Sequence, residues 1–269
     1  MAMYLAPYTD QVDGAFDGGK ILEKKPLGFP QEGGGIPYIS SLFYWACAWS
    51  DEGGLIAEHP HQAFEILSFV LDGEIEHYDN KAAAWKKLKA GDVQIIRAGS
   101  GITHAERMHA GSRMFQIWFD PHLDRAVQQP PSYDDYRAES FPVTQEGDVA
   151  KTTLIGPGSP FEMQSPVQAF RNVYKPGSVE LSLPPEEVAV LYCLEGTFAF
   201  SDVRKPDGSP VQLGPGDTFC WIPESEEQTR LLLDAAGDKP ELFILQMPAR
   251  TDYPLYTERF QYAQSAKTS

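Results

Sequence analysis

Short apolar runs, separated by glycine and proline, dominate the pattern of hydrophobic and polar positions along this chain. The runs are rich in β-branched and aromatic residues, and this composition favours strands over helices. Two segments differ: Pro184–Glu187 predicts a turn, and Tyr253–Ala266 is compatible with a short C-terminal helix. We expect strands at Ser41–Trp49, Phe64–Leu71, Glu74–Tyr78, Asp92–Arg97, Met114–Phe119, Val167–Tyr174, Ser178–Leu183, Val188–Leu194, Thr197–Ser201, Thr218–Ile222 and Glu241–Met247.

The two halves of the chain share one pattern of turns. Leu71-Asp72-Gly73-Glu74 is followed by Ala90-Gly91-Asp92-Val93, and Leu194-Glu195-Gly196-Thr197 by Pro215-Gly216-Asp217-Thr218. Each pair predicts a strand, a tight glycine turn, a strand and a Gly-Asp turn into another strand. This duplication predicts an all-β fold of two tandem barrels. We expect the first barrel in residues 1–125, a polar, proline-bearing linker in 126–149, and the second barrel with a tail in 150–269.

Composition and charge limit the partners. The formal net charge is −16, from 38 acidic and 22 basic residues. Such a surface repels phosphate backbones and anionic lipids, so we expect neither direct nucleic-acid binding nor a membrane partner. The 3 cysteines are far apart and odd in number, which indicates no disulfide framework and favours a reducing compartment. With no secretory signal and no long apolar stretch in view, we expect a cytoplasmic protein.

All 6 histidines lie between positions 59 and 122. His59-Pro60-His61 places two imidazoles at positions i and i+2, which point to the same face of a strand. His104-Ala105-Glu106 repeats this spacing with a carboxylate as the second donor. Three neutral imidazoles and one carboxylate suit one divalent transition metal ion, namely iron, manganese, nickel, copper or zinc. The remaining coordination positions would be open to water, substrate or dioxygen.

The structural alternative is that these are ordinary hydrogen-bonded histidines. A lone His-x-His pair usually has that explanation, and a lone His-x-Glu pair is weaker still as a metal signal. Here both pairs occur, and each lies near glycine turns. The combination favours the metal site.

The sequence around these histidines resembles the pirin family of the cupin superfamily. The resemblance is carried by His59-Pro60-His61-Gln62-Ala63-Phe64-Glu65, by Ala90-Gly91-Asp92-Val93-Gln94 and by Ala98-Gly99-Ser100-Gly101-Ile102-Thr103-His104-Ala105-Glu106. It implies a bicupin with two jelly-roll-like barrels. It further implies that the first barrel holds one metal ion, most often iron(II). The second half contains no histidine, so its acidic residues lack imidazole partners and we expect its barrel to hold no metal. The ligands carried over by the resemblance are His59, His61, His104 and Glu106.

Four other residues are candidates for the surroundings of the metal. Glu65 could be a ligand in the broader cupin pattern, whereas the resemblance to pirins favours a supporting or structural role, in which it could accept an imidazole N–H and orient a ligand. His77 could line the pocket or have a hydrogen-bonded structural role. Phe64 could form an aromatic pocket wall or simply pack in the core. Arg97 could pair with an anionic substrate or with a nearby carboxylate, and the sequence does not choose between the two.

The leading functional hypothesis is a non-haem iron dioxygenase of the quercetin 2,3-dioxygenase type, as the resemblance implies. Its partners would be dioxygen and a small, flavonol-like aromatic substrate, with Glu106 as a metal ligand, a catalytic base or both. A second hypothesis is an iron-dependent, redox-sensing regulatory protein that binds a partner protein. A third is a cupin isomerase that uses zinc or manganese.

Overall fold

The described part of the chain folds almost entirely into strands. The structure is a computed structural model, and it describes residues 2–205, 207–223, 225 and 229–258. It contains two sheets of nine strands each, which confirms the predicted all-β class. The first sheet comprises β2 (Val12–Phe16), β3 (Ile21–Leu27), β4 (Leu42–Ser50), β5 (Gly54–Asp72), β6 (Glu74–Asp79), β7 (Trp85–Lys89), β8 (Val93–Met108), β9 (Ser112–Phe119) and β10 (Ser132–Tyr136). The second comprises β1 (Ala2–Ala6), β11 (Val143–Glu146), β12 (Val149–Ile155), β13 (Gln168–Tyr174), β14 (Gly177–Ser182), β15 (Glu187–Arg204), β16 (Pro210–Leu213), β17 (Thr218–Ile222) and β18 (Arg230–Pro248).

The remaining regular elements are short. The α-helix α1 spans Leu123–Ala126, and 3-10 turns occur at Tyr8–Asp10, Asp17–Gly19 and Ala138–Ser140. The turn predicted at Pro184–Glu187 is present at residues 185 and 186. Of the predicted C-terminal helix, residues 256–258 are helical and residues 259–266 lie outside the described part of the chain. No helix among the described residues has the length and apolar character needed to cross a membrane.

Two strands pair across the predicted domain boundaries. The N-terminal strand β1 pairs with β17, so the first residues of the chain belong to the second sheet. Conversely, β10 pairs with β8 of the first sheet, although its residues lie within the predicted linker. The linker segment is therefore partly built into the fold, and the domain boundaries at 125 and 149 stay a prediction.

The largest core cluster lies between the two sheets. Trp45 of the first sheet is fully buried and stacks on Tyr192 of the second, with ring centroids 5.8 Å apart. Phe115 and Phe243, one from each sheet, pack edge to face at 5.0 Å. Burial of such large aromatic side chains is the main source of free energy holding the two sheets together.

The two glycines that revealed the duplication have equivalent conformations in the two halves. The turn predicted at Gly196 is wrong, because Gly196 lies within β15, at a register shift, and the strands predicted at Val188–Leu194 and Thr197–Ser201 form one continuous strand. Gly73 has φ +70° and Gly196 has φ +75°, a region that residues with a Cβ rarely adopt. A Cβ on Gly73 would lie 2.8 Å from the Cα of Ser112, and one on Gly196 would lie 2.6 Å from the carbonyl oxygen of Ala236. Both positions therefore require glycine for two reasons, conformation and space.

The pairing of β5 with β8 positions the histidines. His59 lies directly opposite His104 in this antiparallel register, and His61 lies opposite Ile102. The register then shifts between His61 and Ala63, and Ala63 has φ +71°. Between these two pairs β5 advances two residues and β8 three, so the extra residue of this bulge lies in β8. In β5 the alternation of faces changes at Ala63, so that Ile66 and Ser68 share the face of His61.

Candidate metal centre

Three imidazole rings converge on the first sheet. The ring centroids of His59 and His61 are 4.7 Å apart, those of His59 and His104 4.4 Å, and those of His61 and His104 4.8 Å. One ring nitrogen from each lies within 4.8 Å of the others. The predicted convergence of the three histidines is therefore present in the structure.

The hydrogen bonding of the rings brings two Nε2 atoms together and leaves a third without a partner. The Nδ1 atom of His59 is 2.7 Å from the carbonyl oxygen of Ala57. Because a carbonyl oxygen only accepts, Nδ1 donates, and the Nε2 atom of the neutral ring carries a lone pair. That Nε2 atom lies 3.0 Å from Nε2 of His104, and the buried Nε2 atom of His61 has no hydrogen-bond partner in the described structure.

This arrangement fits a metal ion. Two imidazole nitrogens bound to one ion at about 2.0–2.1 Å lie roughly 3 Å apart when they are at right angles. A buried ring nitrogen without a partner is costly, and an ion would supply the missing partner of His61. The donor set is therefore chemically and geometrically suited to one divalent transition metal ion.

Burial keeps two of the rings neutral. It lowers the pKa of His61 to about 3, and the neighbouring His59 adds to this effect. Burial likewise holds the pKa of His104 well below its ordinary value, with further contributions from the neighbouring histidines His61, His59 and His77. Neutral imidazole is the form that binds a metal ion, so these rings do not need to lose a proton first at neutral pH.

Glu106 lies two residues after His104 in β8, in a polar network. It is fully buried and is not part of the close group of three rings. Its Oε1 atom accepts hydrogen bonds from Ser68 Oγ at 3.0 Å and Gln94 Nε2 at 3.2 Å, and its Oε2 atom accepts one from Gln116 Nε2 at 2.6 Å. Burial raises the pKa of Glu106, while the hydrogen bond from Ser68, the nearby His59 and the two amides act in the opposite direction.

The two amides that hold Glu106 are themselves oriented. Trp118 Nε1 donates to Gln116 Oε1 at 3.2 Å, and Tyr133 Oη donates to Gln94 Oε1 at 3.3 Å. With each amide oxygen engaged, each NH₂ group faces the carboxylate. A carboxylate has about four lone-pair directions, so these three hydrogen bonds leave Glu106 able to accept one further bond.

Sequence reasoning missed Ser68, Gln94 and Gln116. Gln94 stands in the Gly-Asp-x-Gln element that carries the family resemblance, and this motif was the one signal that could have found it. Ser68 was hidden by the bulge, because strict alternation from His61 would turn Ser68 away from the histidines. Gln116 stands in an apolar strand with nothing to mark it as functional.

Two of the predicted residues lie elsewhere. The buried carboxylate of Glu65 accepts hydrogen bonds from the backbone N–H groups of Gln164 and Ser165, both at 2.8 Å. The bulge at Ala63 is the physical reason, since it places Glu65 on the face that packs against the second half. Arg97 donates to the carboxylate of Asp134 at 2.6 Å, so of its two sequence-based alternatives the structure shows the carboxylate partner.

His77 and Phe64 lie next to the centre. His77 Nε2 is 3.0 Å from Asp79 Oδ2, and its ring stacks on Tyr133 at 4.3 Å. Its centroid is 5.6 Å from that of His104, which places it beside the ligand group and gives it a hydrogen-bonded role. Phe64 is half-buried and packs 6.0 Å from Trp118.

An aromatic wall flanks the imidazoles. The ring of Trp118 meets that of His61 edge to face, at 4.7 Å and 89°. On its other sides Trp118 packs against Tyr44 at 5.4 Å and Phe29 at 5.2 Å. His61 also borders a cavity of about 460 Å³. The cavity is lined by Pro60, His61, Gln62, Asn80, Gly101, Ile102 and Thr103.

A second group of potential ligands, Glu74, Glu76 and His109, also lies on the first sheet. Its carboxylates are already paired, since Lys87 Nζ is 2.9 Å from Glu74 Oε1 and Arg107 donates to Glu76. The group is partly exposed and has the character of a surface ion-pair network.

The fold and the three-imidazole centre define a two-barrel β protein of the cupin type. The pirin family model matches residues 46–119, the segment that contains the three histidines and Glu106. A Pseudomonas aeruginosa protein named "Putative quercetin 2,3-dioxygenase" is 30% identical over 160 residues, covering 50% of this chain and 67% of that protein. The chain belongs to the pirin family.

Two further comparisons agree with this assignment. Arabidopsis thaliana "Pirin-like protein 2" is 29% identical over 192 residues, which cover 66% of this chain and 59% of that protein. The chain thus spans about three fifths of the length of the plant relatives that it matches. The crystal structure of the Escherichia coli pirin YhhW in complex with nickel(II) aligns with a TM-score of 0.72 at 21% identity, covering 92% of this chain and 99% of that one. This last likeness shows the shared fold.

Proposed function

We propose that this chain is a metal-dependent dioxygenase acting on a flavonol-like aromatic compound. The observation that carries the proposal is the convergence of His59, His61 and His104 beside the aromatic wall of Trp118. The relative named "Putative quercetin 2,3-dioxygenase" supports this reaction, and the nickel-bound pirin of the same fold supports metal binding.

In this proposal the three imidazoles hold one divalent transition metal ion, iron(II) in the working protein, and Glu106 is its fourth partner or the base beside it. The bound ion supplies Lewis acidity, which lowers the pKa of a coordinated hydroxyl group and brings two reactants together. The carboxylate of Glu106, held by Ser68 and Gln116, would accept a proton from such a hydroxyl.

The protein side chains around the centre fit a planar aromatic substrate. Trp118, Tyr44 and Phe29 pack on one another beside His61, and Trp118 and Tyr44 are buried, so the group forms an apolar boundary to the centre. The cavity beside His61 provides an approach from solvent. Apolar walls also exclude water, which strengthens the electrostatic interactions of Glu106 with a bound ligand.

Oxygen consumption tests the proposal. The protein is loaded anaerobically with iron(II), freed of excess metal, and mixed with a panel of flavonols while dioxygen is followed with an electrode. We expect oxygen uptake that requires the flavonol and is absent in His104→Ala. Iron-loaded wild-type protein that consumes no oxygen with any flavonol would reject the dioxygenase. A zinc or manganese isomerase would consume none.

A further inference from the structure

The end of the second half returns to the metal-bearing half. After β18 ends at Pro248, the chain passes across the first sheet as far as Glu258, the last described residue. Tyr253 Oη donates to the backbone carbonyl of Asp120 at 2.9 Å, and the backbone N–H of Tyr256 donates to the carboxylate of the same residue. Asp120 directly follows β9, the strand that carries Gln116 and Trp118, and is itself 2% exposed.

This attachment places the ring of Tyr256 on the aromatic residues next to the centre. Its centroid is 5.4 Å from that of Phe64 and 5.3 Å from that of Phe43, both in edge-on contacts. Phe43 and Phe64 are stacked on each other at 4.6 Å. Phe64 in turn packs against Trp118, and Trp118 meets His61. A continuous series of aromatic rings therefore runs from the imidazole centre to a residue of the opposite half.

We propose that Tyr256 is a specificity-determining residue that closes the aromatic wall and contacts the planar part of the substrate. The inference rests on the proposed function, because it takes a flavonol-like compound as the ligand. Tyr256 is half-buried and packs on Phe64 and Phe43. Edge-on and stacked aromatic contacts favour planar aromatic ligands over aliphatic ones of similar size.

A binding measurement that does not depend on turnover tests this role. The full chain is loaded with zinc, which supports no redox reaction, and titrated with a flavonol while tryptophan fluorescence is followed. We expect Tyr256→Ala to weaken binding about five- to tenfold, the loss expected for one aromatic contact. Tyr256→Phe should stay within about twofold of wild type, and Tyr256→Leu, which keeps apolar bulk but lacks the ring, should behave like Tyr256→Ala. Tyr4→Ala, at an exposed position in β1, is the matched control and should bind like wild type.

A double-mutant cycle sharpens the assignment. If Tyr256 acts together with Phe64, the loss in Phe64→Ala/Tyr256→Ala should be smaller than the product of the two single losses. Wild-type affinity in both Tyr256→Ala and Tyr256→Leu would overturn the inference while leaving the proposed function intact. Failure of the wild-type protein to bind any flavonol would overturn both, and that outcome is recognised before any variant is compared.

Discussion

The Nε2 atoms of His59 and His104 lie 3.0 Å apart, on facing residues of two paired strands. Without a metal ion, this distance requires one of the two nitrogens to carry a proton and donate it to the other. With an ion, both lone pairs become ligands. The same short distance is compatible with a hydrogen bond when no ion is bound and with a shared ion when one is bound. The centre is therefore preorganised for binding.

Replacing the buried carboxylate tests the role of Glu106. In Glu106→Gln the side chain keeps its size but loses its charge and one acceptor oxygen. We expect metal affinity to fall about 10- to 100-fold, the range typical when a partner of a metal site is removed. Competition with a chromophoric chelator measures the affinity. Unchanged affinity in this variant would show that Glu106 neither binds the ion nor supports its ligands.

Glu65 provides the matched control and a prediction of its own. Its buried carboxylate accepts from the backbone of Gln164 and Ser165, so Glu65→Gln places an NH₂ group against N–H donors. We expect a loss of about 1–3 kcal/mol in the free energy of unfolding, the cost of unsatisfied buried donors, with metal affinity unchanged. Chemical denaturation and the same chelator assay measure the two quantities. A loss of metal with normal stability would instead support the ligand-orienting role predicted from the sequence.

Glu23 should make the free energy of unfolding depend on pH. Its carboxyl group lies in β3 and is 4% exposed. Burial raises its pKa from 4.5 to about 7, although Lys25 and the hydroxyl of Tyr44 act in the opposite direction. Between these two pH values the folded chain retains a proton that the unfolded chain releases. Its contribution to stability therefore falls as the pH rises from about 4.5 to about 7, and then levels off.

Glu23→Gln should remove this dependence. The difference in unfolding free energy between Glu23→Gln and wild type should shift in favour of the variant by up to about 3 kcal/mol as the pH rises from 4.5 to 8. Urea unfolding at the two pH values measures the change, with Glu52→Gln, at an exposed position, as the control. Parallel pH profiles for wild type and Glu23→Gln would contradict the assignment.

Much of the fold follows from local patterns. The short apolar runs and the repeated glycine motifs at Gly73 and Gly196 predicted an all-β chain in two similar halves, because strand propensity and positive φ are properties of short segments. The convergence of His59, His61 and His104 was equally predictable, since each pair needs only two residues on one strand face and a register between neighbouring strands.

The irregularity at Ala63 could not be predicted from the sequence. A positive φ is usually marked by glycine or asparagine, so an alanine in that conformation gives no signal in the sequence. The change of face at Ala63 moves Glu65 to the opposite side of β5 and brings Ser68 to Glu106. The exchange of β1 into the second sheet was equally hidden, because its partner β17 lies more than two hundred residues away along the chain and nothing local specifies that pairing.

The metal content of the purified protein shows whether the three imidazoles bind an ion. Wild type, His104→Ala and His109→Ala are loaded with iron(II) side by side, freed of excess metal and analysed by mass spectrometry of the elements. We predict close to one transition metal ion per chain in wild type and in His109→Ala, and less than about a tenth of that in His104→Ala. Equal metal content in wild type and His104→Ala, or no bound metal in wild type, would contradict a centre built from these three imidazoles.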